Sequence, residues 1–258
     1  MRFEIILQPR KEFFSIPLNY NYPIMVNLYK MFFNGESEFA DWLHSEGYRS
    51  DEVTSKRSKL FTFSRLYTNK FQISDSILRT TGRIRFYFST PHLEKQIQTF
   101  INGALQTCSF NIYEGDIYTA FTIENIVSLA PPQFKFTQKY RLISPAVSSV
   151  KDDAGRVVYL QPQDEQAEFQ LEQNLRWKYN LLHGHEYAGE LKIEFDKGYL
   201  KGRNRVSKLI AIKAGKANET KVRGYYCPLM ITAQPSMQQV AYDCGLGEKN
   251  SMGLGCIA

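Results

Sequence analysis

The residues of this 258-residue chain most tightly spaced for chemistry lie at its end. The stretch CGLGEKNSMGLGCIA places Gly245, Gly247, Gly253 and Gly255 as two GxG pairs around a polar tip that carries Lys249 and Asn250. Glycine allows left-handed backbone and close approach of amides, so such a stretch either turns tightly against a sheet or wraps its amides around an anion. A GxxxxGK[ST] phosphate loop is absent from the sequence, and GxGxxG fails at its third position, where Asn250 stands. Both motifs lead from a strand into a helix. Here the loop follows an expected helix, PSMQQVAYDCG, whose negative end would face any anion. A nucleotide cofactor is therefore not expected, and an anion would have to be held by loop amides and by Lys249.

Other candidate groups carry less. His183 and His185 form HxH, two ligands without a third at suitable spacing, so no metal site is expected. Asp152 and Asp153 belong to a turn before Gly155, and His92 follows Pro91 at a helix start with no evident role. No nucleophile triad stands out, and no cofactor is implied.

Charge points toward a polyanion. The chain carries a formal +6 with a pI near 9.0, and from Lys192 to Lys221 there are nine Lys or Arg residues against three acids. That window alone accounts for the whole excess. It reads either as a solvated hairpin with spare lysines or as a phosphate track, with Lys201, Arg203 and Arg205 in the turn between two predicted strands. The four cysteines (Cys108, Cys227, Cys244 and Cys256) form no CxxC pair and read as reduced thiols of a cytoplasmic protein. MRFEIILQP alternates like a strand rather than a signal peptide, and no apolar run approaches the ~20 residues that span a bilayer.

The elements that must position these residues follow from hydrophobic period. RFEIILQ reads as a strand. YPIMVNLYKMFF puts Ile24, Leu28, Met31 and Phe32 on one helical stripe behind Pro23, and SEFADWLHSEG is a second short helix with Ser37 as N-cap and Gly47 at C′. KLFTFSRLY is strand-like, and GRIRFYFST alternates, with Ile84, Phe86 and Phe88 on one face and Arg83, Arg85 and Tyr87 on the other. A helix over 91–101 and a strand pair around CSFNIY and IYTAFTIENI complete a βαββαβ order. The second half repeats that order through KYRLISPAVSSV, the helix DEQAEFQLEQNLRWKYNLL, the strands ELKIEFDKGYL, SKLIAIKAG and YYCPLMITA, and the final helix. Pro228 implies that the last of these strands is an edge or bulged. The expected fold is α+β, two tandem ferredoxin-like units over 1–125 and 126–258, with a joint where PPQ interrupts the pattern.

The GLGEKNSMGLG stretch resembles the GhGxxxxxGhG loop (h, hydrophobic) of the repeat-associated RNA-binding proteins of CRISPR systems, and most closely the Cas-six endoribonucleases that cut CRISPR repeat RNA. MRFEIILQP, PLNYNYPIMVNLY and KLFTFS are similar to the same family at the same relative places. The resemblance implies two ferredoxin-like domains with the loop between the last helix and last strand, in agreement with the order read from periodicity.

It also implies a chemistry. The RNA 2′-hydroxyl attacks its own 3′ phosphate, leaving a 2′,3′-cyclic phosphate and a 5′-hydroxyl; a base, an acid and a cation are the parts required, and no metal ion. One branch of the family uses a Tyr, a His and a Lys, and Tyr29, His44 and Lys59 stand in the matching places. The helix end at His44 favours a protonated imidazole, which suits a general acid or an acid–base switch. Lys59 would neutralise developing charge, a task that Lys56 or Arg57 could share. Which residue is base and which acid stays open. The implied RNA-binding set is Gly245, Gly247, Lys249, Asn250, Gly253 and Gly255 in the loop, Lys201, Arg203 and Arg205 in the basic window, and Arg83 and Arg85 on the outward strand face. Expected partners are CRISPR repeat RNA, other subunits of a CRISPR complex and a second copy of the chain in a homodimer, with no membrane. The competing reading is a non-cleaving RNA-binding scaffold of the same kind of complex.

Overall fold

The computed structural model describes residues 1–49, 57–107, 109–203, 206–215 and 217–258. The first unit runs β1 (Arg2–Pro9), β2 (Phe13–Pro17), α1 (Asn21–Gly35), α2 (Ser37–Ser45), β3 (Thr62–Phe63), β4 (Phe71–Ser74), β5 (Ile77–Thr81), β6 (Ile84–Ser89), α3 (Glu94–Gln106), β7 (Phe110–Glu114) and β8 (Ile117–Leu129). Its main sheet has the order β3-β6-β1-β8-β7. Every pairing in it is antiparallel. Without the β7 edge this is the ferredoxin-like arrangement, in which the first strand lies between the third and fourth. Alternation fixes the register: Phe3 faces Phe88, Ile5 faces Phe86 and Leu7 faces Ile84, and all six side chains are buried. A slip of one residue would turn that whole set to solvent. Ile24, Leu28, Met31 and Phe32 of α1 cover the sheet with no exposed surface.

The second unit runs β9 (Thr137–Tyr140), β10 (Ser149–Lys151), β11 (Val157–Tyr159), α4 (Glu165–His183), β12 (Leu191–Phe195), α5 (Lys197–Leu200), β13 (Ser207–Ile212), β14 (Thr220–Tyr225), β15 (Leu229–Ala233) and α6 (Pro235–Cys244). Its sheet, β12-β15-β9, is antiparallel. The fourth ferredoxin position is taken by the last residues: Arg141 and Ala258 exchange backbone hydrogen bonds of 2.8 and 2.9 Å, and Leu142 bridges Ile257. Each unit has its own apolar core. A third cluster, Val147, Ile210, Val222, Met252 and Leu254 with Tyr22 and Met25 of α1 against it, joins the glycine loop, the β13–β14 hairpin and the first unit.

Several expected elements shift. SKLIAIKAG is not a sheet strand of the second unit but one arm of the separate hairpin β13–β14. YYCPLMITA divides between β14 and β15, and Pro228 sits just before a central strand rather than within an edge. Its missing N–H therefore costs the ladder nothing, while its carbonyl accepts from the Asp196 amide at 2.8 Å. Ser37 does not cap α2; Glu36 is the cap residue, with no side-chain hydrogen bond. The third helix starts at Glu94 and runs to Gln106. Strand β8 pairs with β1 as far as Leu129, so residues 126–129 belong to the first sheet. A three-stranded sheet, β2-β5-β4, flanks the first unit. Its strands are too short and irregular in pattern to be read from periodicity.

Candidate functional site

Helix α1 spends its apolar stripe on the core, which leaves Tyr29 half-buried at the stripe's border. The Tyr29 ring meets the buried Phe61 ring at 5.8 Å and the His44 ring edge-on at 5.3 Å and 80°. Burial pushes the Tyr29 phenol well above its ordinary value, so near neutral pH it is a neutral hydroxyl that donates, not a phenolate. His44 is exposed in the last turn of α2. Gly47, at φ +64, turns the chain away, and its amide and that of Glu46 both bond the Trp42 carbonyl.

Two backbone hydrogen bonds between Tyr48 and Ser58, of 2.8 and 2.9 Å, close the excursion that follows α2. The chain returns with Lys59 under the helix end. Lys59 Nζ donates to the main-chain oxygen of His44 at 2.6 Å. The turn takes glycine because of the positive φ at Gly47 and because a methyl group there would stand 2.9 Å from the Ser58 main-chain oxygen. Arg57 Nη1 donates to the carbonyl of Ser45 at 2.7 Å and lies 3.5 Å from Glu46. Two cations thus satisfy the free carbonyls at the negative end of α2. Burial first and the Arg57 guanidinium second bring the Lys59 ammonium down to about 8, with Glu46 opposing both. His44 therefore meets both Tyr29 of α1 and Lys59 on the approach to β3. Lys56 lies outside the described residues.

The glycine loop has a different character from that expected. Gly245, Gly247, Gly253, Gly255 and Asn250 are all buried, and the amides of Gly245, Leu246, Glu248, Gly253 and Gly255 already donate to carbonyls of the protein. A side chain at Gly247 would come within 2.1 Å of the Val147 oxygen, and one at Gly253 within 2.1 Å of the Phe63 ring. The loop packs the second unit onto β3 of the first. Inside it lies Lys178 of α4, 2% exposed, whose Nζ donates to the oxygens of Gly245 and Gly247 at 2.8 Å each and to Asn250 Oδ1 at 2.6 Å. Asn250 Nδ2 donates in turn to Leu246 and Leu254. The loop's inner oxygens thus cradle the protein's own cation. Lys249 is the exposed member of the set, at a left-handed φ of +54.

Sequence reasoning missed Lys178, although a signal was there: it falls on the stripe Leu171, Leu175, Lys178 of α4, a charge at a core position. Of the outward strand cations, Arg85 binds Glu4 at 2.6 Å and Arg83 binds Glu124. Both lie on the solvent face opposite Ile84, Phe86 and Phe88. In the basic window Lys201 and Arg203 are exposed, Arg203 standing 4.1 Å over the Tyr199 ring; Arg205 lies outside the described residues. His183 and His185 pack around Tyr179 at 4.1 and 5.6 Å. Among the described residues no group of three or more His, Cys, Asp or Glu is placed to hold a metal ion, and no helix is long and apolar enough to cross a membrane.

Two sequence profiles of one family cover the chain. CRISPR-associated protein Cas6, N-terminal, matches residues 15–126, and CRISPR associated protein Cas6, C-terminal, matches residues 129–258. The CRISPR-associated endoribonuclease Cas6 1 of Methanocaldococcus jannaschii is 26% identical over 100% of this chain and 92% of its own. The CRISPR-associated endoribonuclease Cas6 of Pyrococcus furiosus is 24% identical over 100% and 89%. A solved structure described as a Cas6-related gene product from Pyrococcus furiosus overlays with a TM-score of 0.80 at 22% identity, covering 100% of this chain and 97% of that one. That overlay shares the tandem ferredoxin-like fold. Because the C-terminal profile alone spans half of the sequence and the N-terminal profile most of the remainder, the chain belongs to the CRISPR-associated Cas6 family.

Proposed function

We propose that this protein is a metal-independent endoribonuclease that cuts CRISPR repeat RNA, producing guide RNAs with 2′,3′-cyclic phosphate and 5′-hydroxyl ends. The observation that carries this reading is the convergence of Tyr29, His44 and Lys59, with the His44 ring 5.3 Å from Tyr29 and its carbonyl 2.6 Å from Lys59 Nζ. In-line attack by a 2′-hydroxyl needs a proton acceptor for that hydroxyl, a proton donor for the 5′ oxygen, and positive charge at the phosphate. The nucleophile is internal to the RNA, so no ion is required to generate it. His44, exposed at the helix end, is suited to exchange a proton with the 5′ oxygen. Lys59 and Arg57 supply charge, and the neutral Tyr29 hydroxyl supplies a hydrogen bond that orients the nucleophile or a phosphate oxygen. The relatives named as CRISPR-associated endoribonucleases support the substrate class.

The RNA track would run over Lys249, Lys201 and Arg203, three of the exposed cations of the second unit. The test is incubation with the cognate repeat RNA in EDTA. Cyclic-phosphate product that disappears in His44→Ala supports the enzyme, and undiminished cleavage by that variant rejects the histidine's role. A second reading, a non-cleaving RNA scaffold, is favoured by one observation: Lys59 and Arg57 each already cap α2. Repeat RNA bound but left intact would decide for it.

A further inference from the structure

Between α1 and α2 runs an open groove of about 320 Å³ whose lining includes Tyr29 and His44. Beyond those two residues its walls are Tyr22, Met25, Val26, Phe33 and Ala40, with the exposed Lys30 and Asp41 also lining it. We propose that this groove receives one nucleobase of the nucleotides flanking the scissile phosphate, and that the Asp41 carboxylate selects that base through an N–H donor on its edge. The inference rests on the cleavage reading above and deepens it.

Three features lead to it. The groove is continuous with the candidate catalytic residues: His44 lines it, while Lys59, bound to the carbonyl of the same residue, lies outside it. A phosphate drawn to Lys59 and Arg57 therefore leaves its attached nucleoside beside His44, facing the groove. The polarity is also divided. Lys59 and Arg57 gather at the helix end, whereas the groove is walled mainly by apolar and aromatic side chains. Its one carboxylate (Asp41) and one ammonium (Lys30) offset each other in net charge, a surface that accepts a flat, apolar-faced ring with N–H groups on its edge. Its volume stands at the small end of the roughly 300–1,000 Å³ typical of ligand clefts, so one base is accommodated and a longer segment is not. Asp41 lines the groove and is exposed, and no ion pair among the described residues engages its carboxylate, which leaves its oxygens open to an N–H donor. A carboxylate accepts from the N4 amino group of cytosine, the N6 amino group of adenine, or the N1 and N2 groups of guanine.

The experiment uses the full chain and the cognate repeat RNA in versions that carry each of the four bases, or an abasic nucleotide, at the two positions flanking the mapped cut. The wild type is expected to prefer one base over the abasic substrate by about tenfold or more in kcat/KM. That ratio should collapse in Asp41→Ala, which leaves no side-chain acceptor, and in Val26→Trp, which fills the groove, more than it does for bases two positions away. Equal rates for abasic and base-bearing RNA at both positions would overturn the proposal, as would an unchanged ratio in Asp41→Ala. If the protein cuts no repeat RNA, the cleavage reading fails by itself, and dissociation constants for repeat RNAs made abasic at each position in turn decide the groove. A position whose base adds about tenfold in affinity to the wild type but not to Val26→Trp retains it, and the absence of any such position rejects it.

Discussion

Lys59 holds its ammonium 2.6 Å from the main-chain oxygen of His44, so the cation that would meet the phosphate is tied to the residue that would move the proton. Burial, and secondarily Arg57, lower Lys59 to about 8 from an ordinary 10.5. A depressed lysine leaves the full cost of its buried charge in the fold below about pH 8 and relieves it as pH climbs toward 10.5, so its contribution to stability rises across that window. Activity runs the other way. In the free enzyme kcat/KM should fall above about pH 8 as the charge is lost. Lys59→Arg stays charged throughout and should carry this limb beyond the measured range. Identical alkaline limbs in the two proteins would remove Lys59 from the chemistry.

Lys178→Met removes the donor shared by Gly245, Gly247 and Asn250. Three buried acceptors left unsatisfied at about 1 kcal/mol each cost on the order of 3 kcal/mol. Urea denaturation should show a lower midpoint, and a midpoint equal to the wild type's would mean that relief of the buried charge offsets the lost bonds.

Gly253→Ala forces a methyl group toward the Phe63 ring at a φ of +71. The clash and the left-handed backbone together should cost about 2 kcal/mol or more. Thermal unfolding of Gly253→Ala, Phe63→Leu and the double variant reads the coupling between loop and β3 directly. Additive effects would show that the two do not touch in solution.

Salt dependence distinguishes the candidate RNA contacts. Lys249→Ala and Arg203→Ala should each reduce the slope of log K against log salt by about one. Arg83 and Arg85 are already neutralised by Glu124 and Glu4, so Arg85→Ala should change the slope less. A larger effect from Arg85 than from Lys249 would move the RNA to the sheet face of the first unit.

Much of the frame was legible in the sequence because it rests on local period. The alternation of Ile84, Phe86 and Phe88 and the stripe of Ile24, Leu28, Met31 and Phe32 appear buried as expected, and Gly47 and Gly245 end their helices. The errors fall where two elements compete for one stretch. SKLIAIKAG has strand composition in either sheet, and only its pairing with Thr220–Tyr225 makes it a hairpin. The site followed the same division. Tyr29, His44 and Lys59 came from family resemblance, and no spacing rule joins positions on α1, α2 and the approach to β3.

The sequence by itself determined the two βαββαβ units, the positions of the glycines and the basic excess, since propensity, hydrophobic period and charge are properties of neighbouring residues. The tertiary structure alone decided that Lys178 is the cation the glycine loop encloses, that Glu4 and Glu124 quench two arginines, and that Lys59 returns to the end of α2. Each of these is a contact between residues far apart in the chain. Its energy depends on burial and distance, which exist only once the chain has closed on itself.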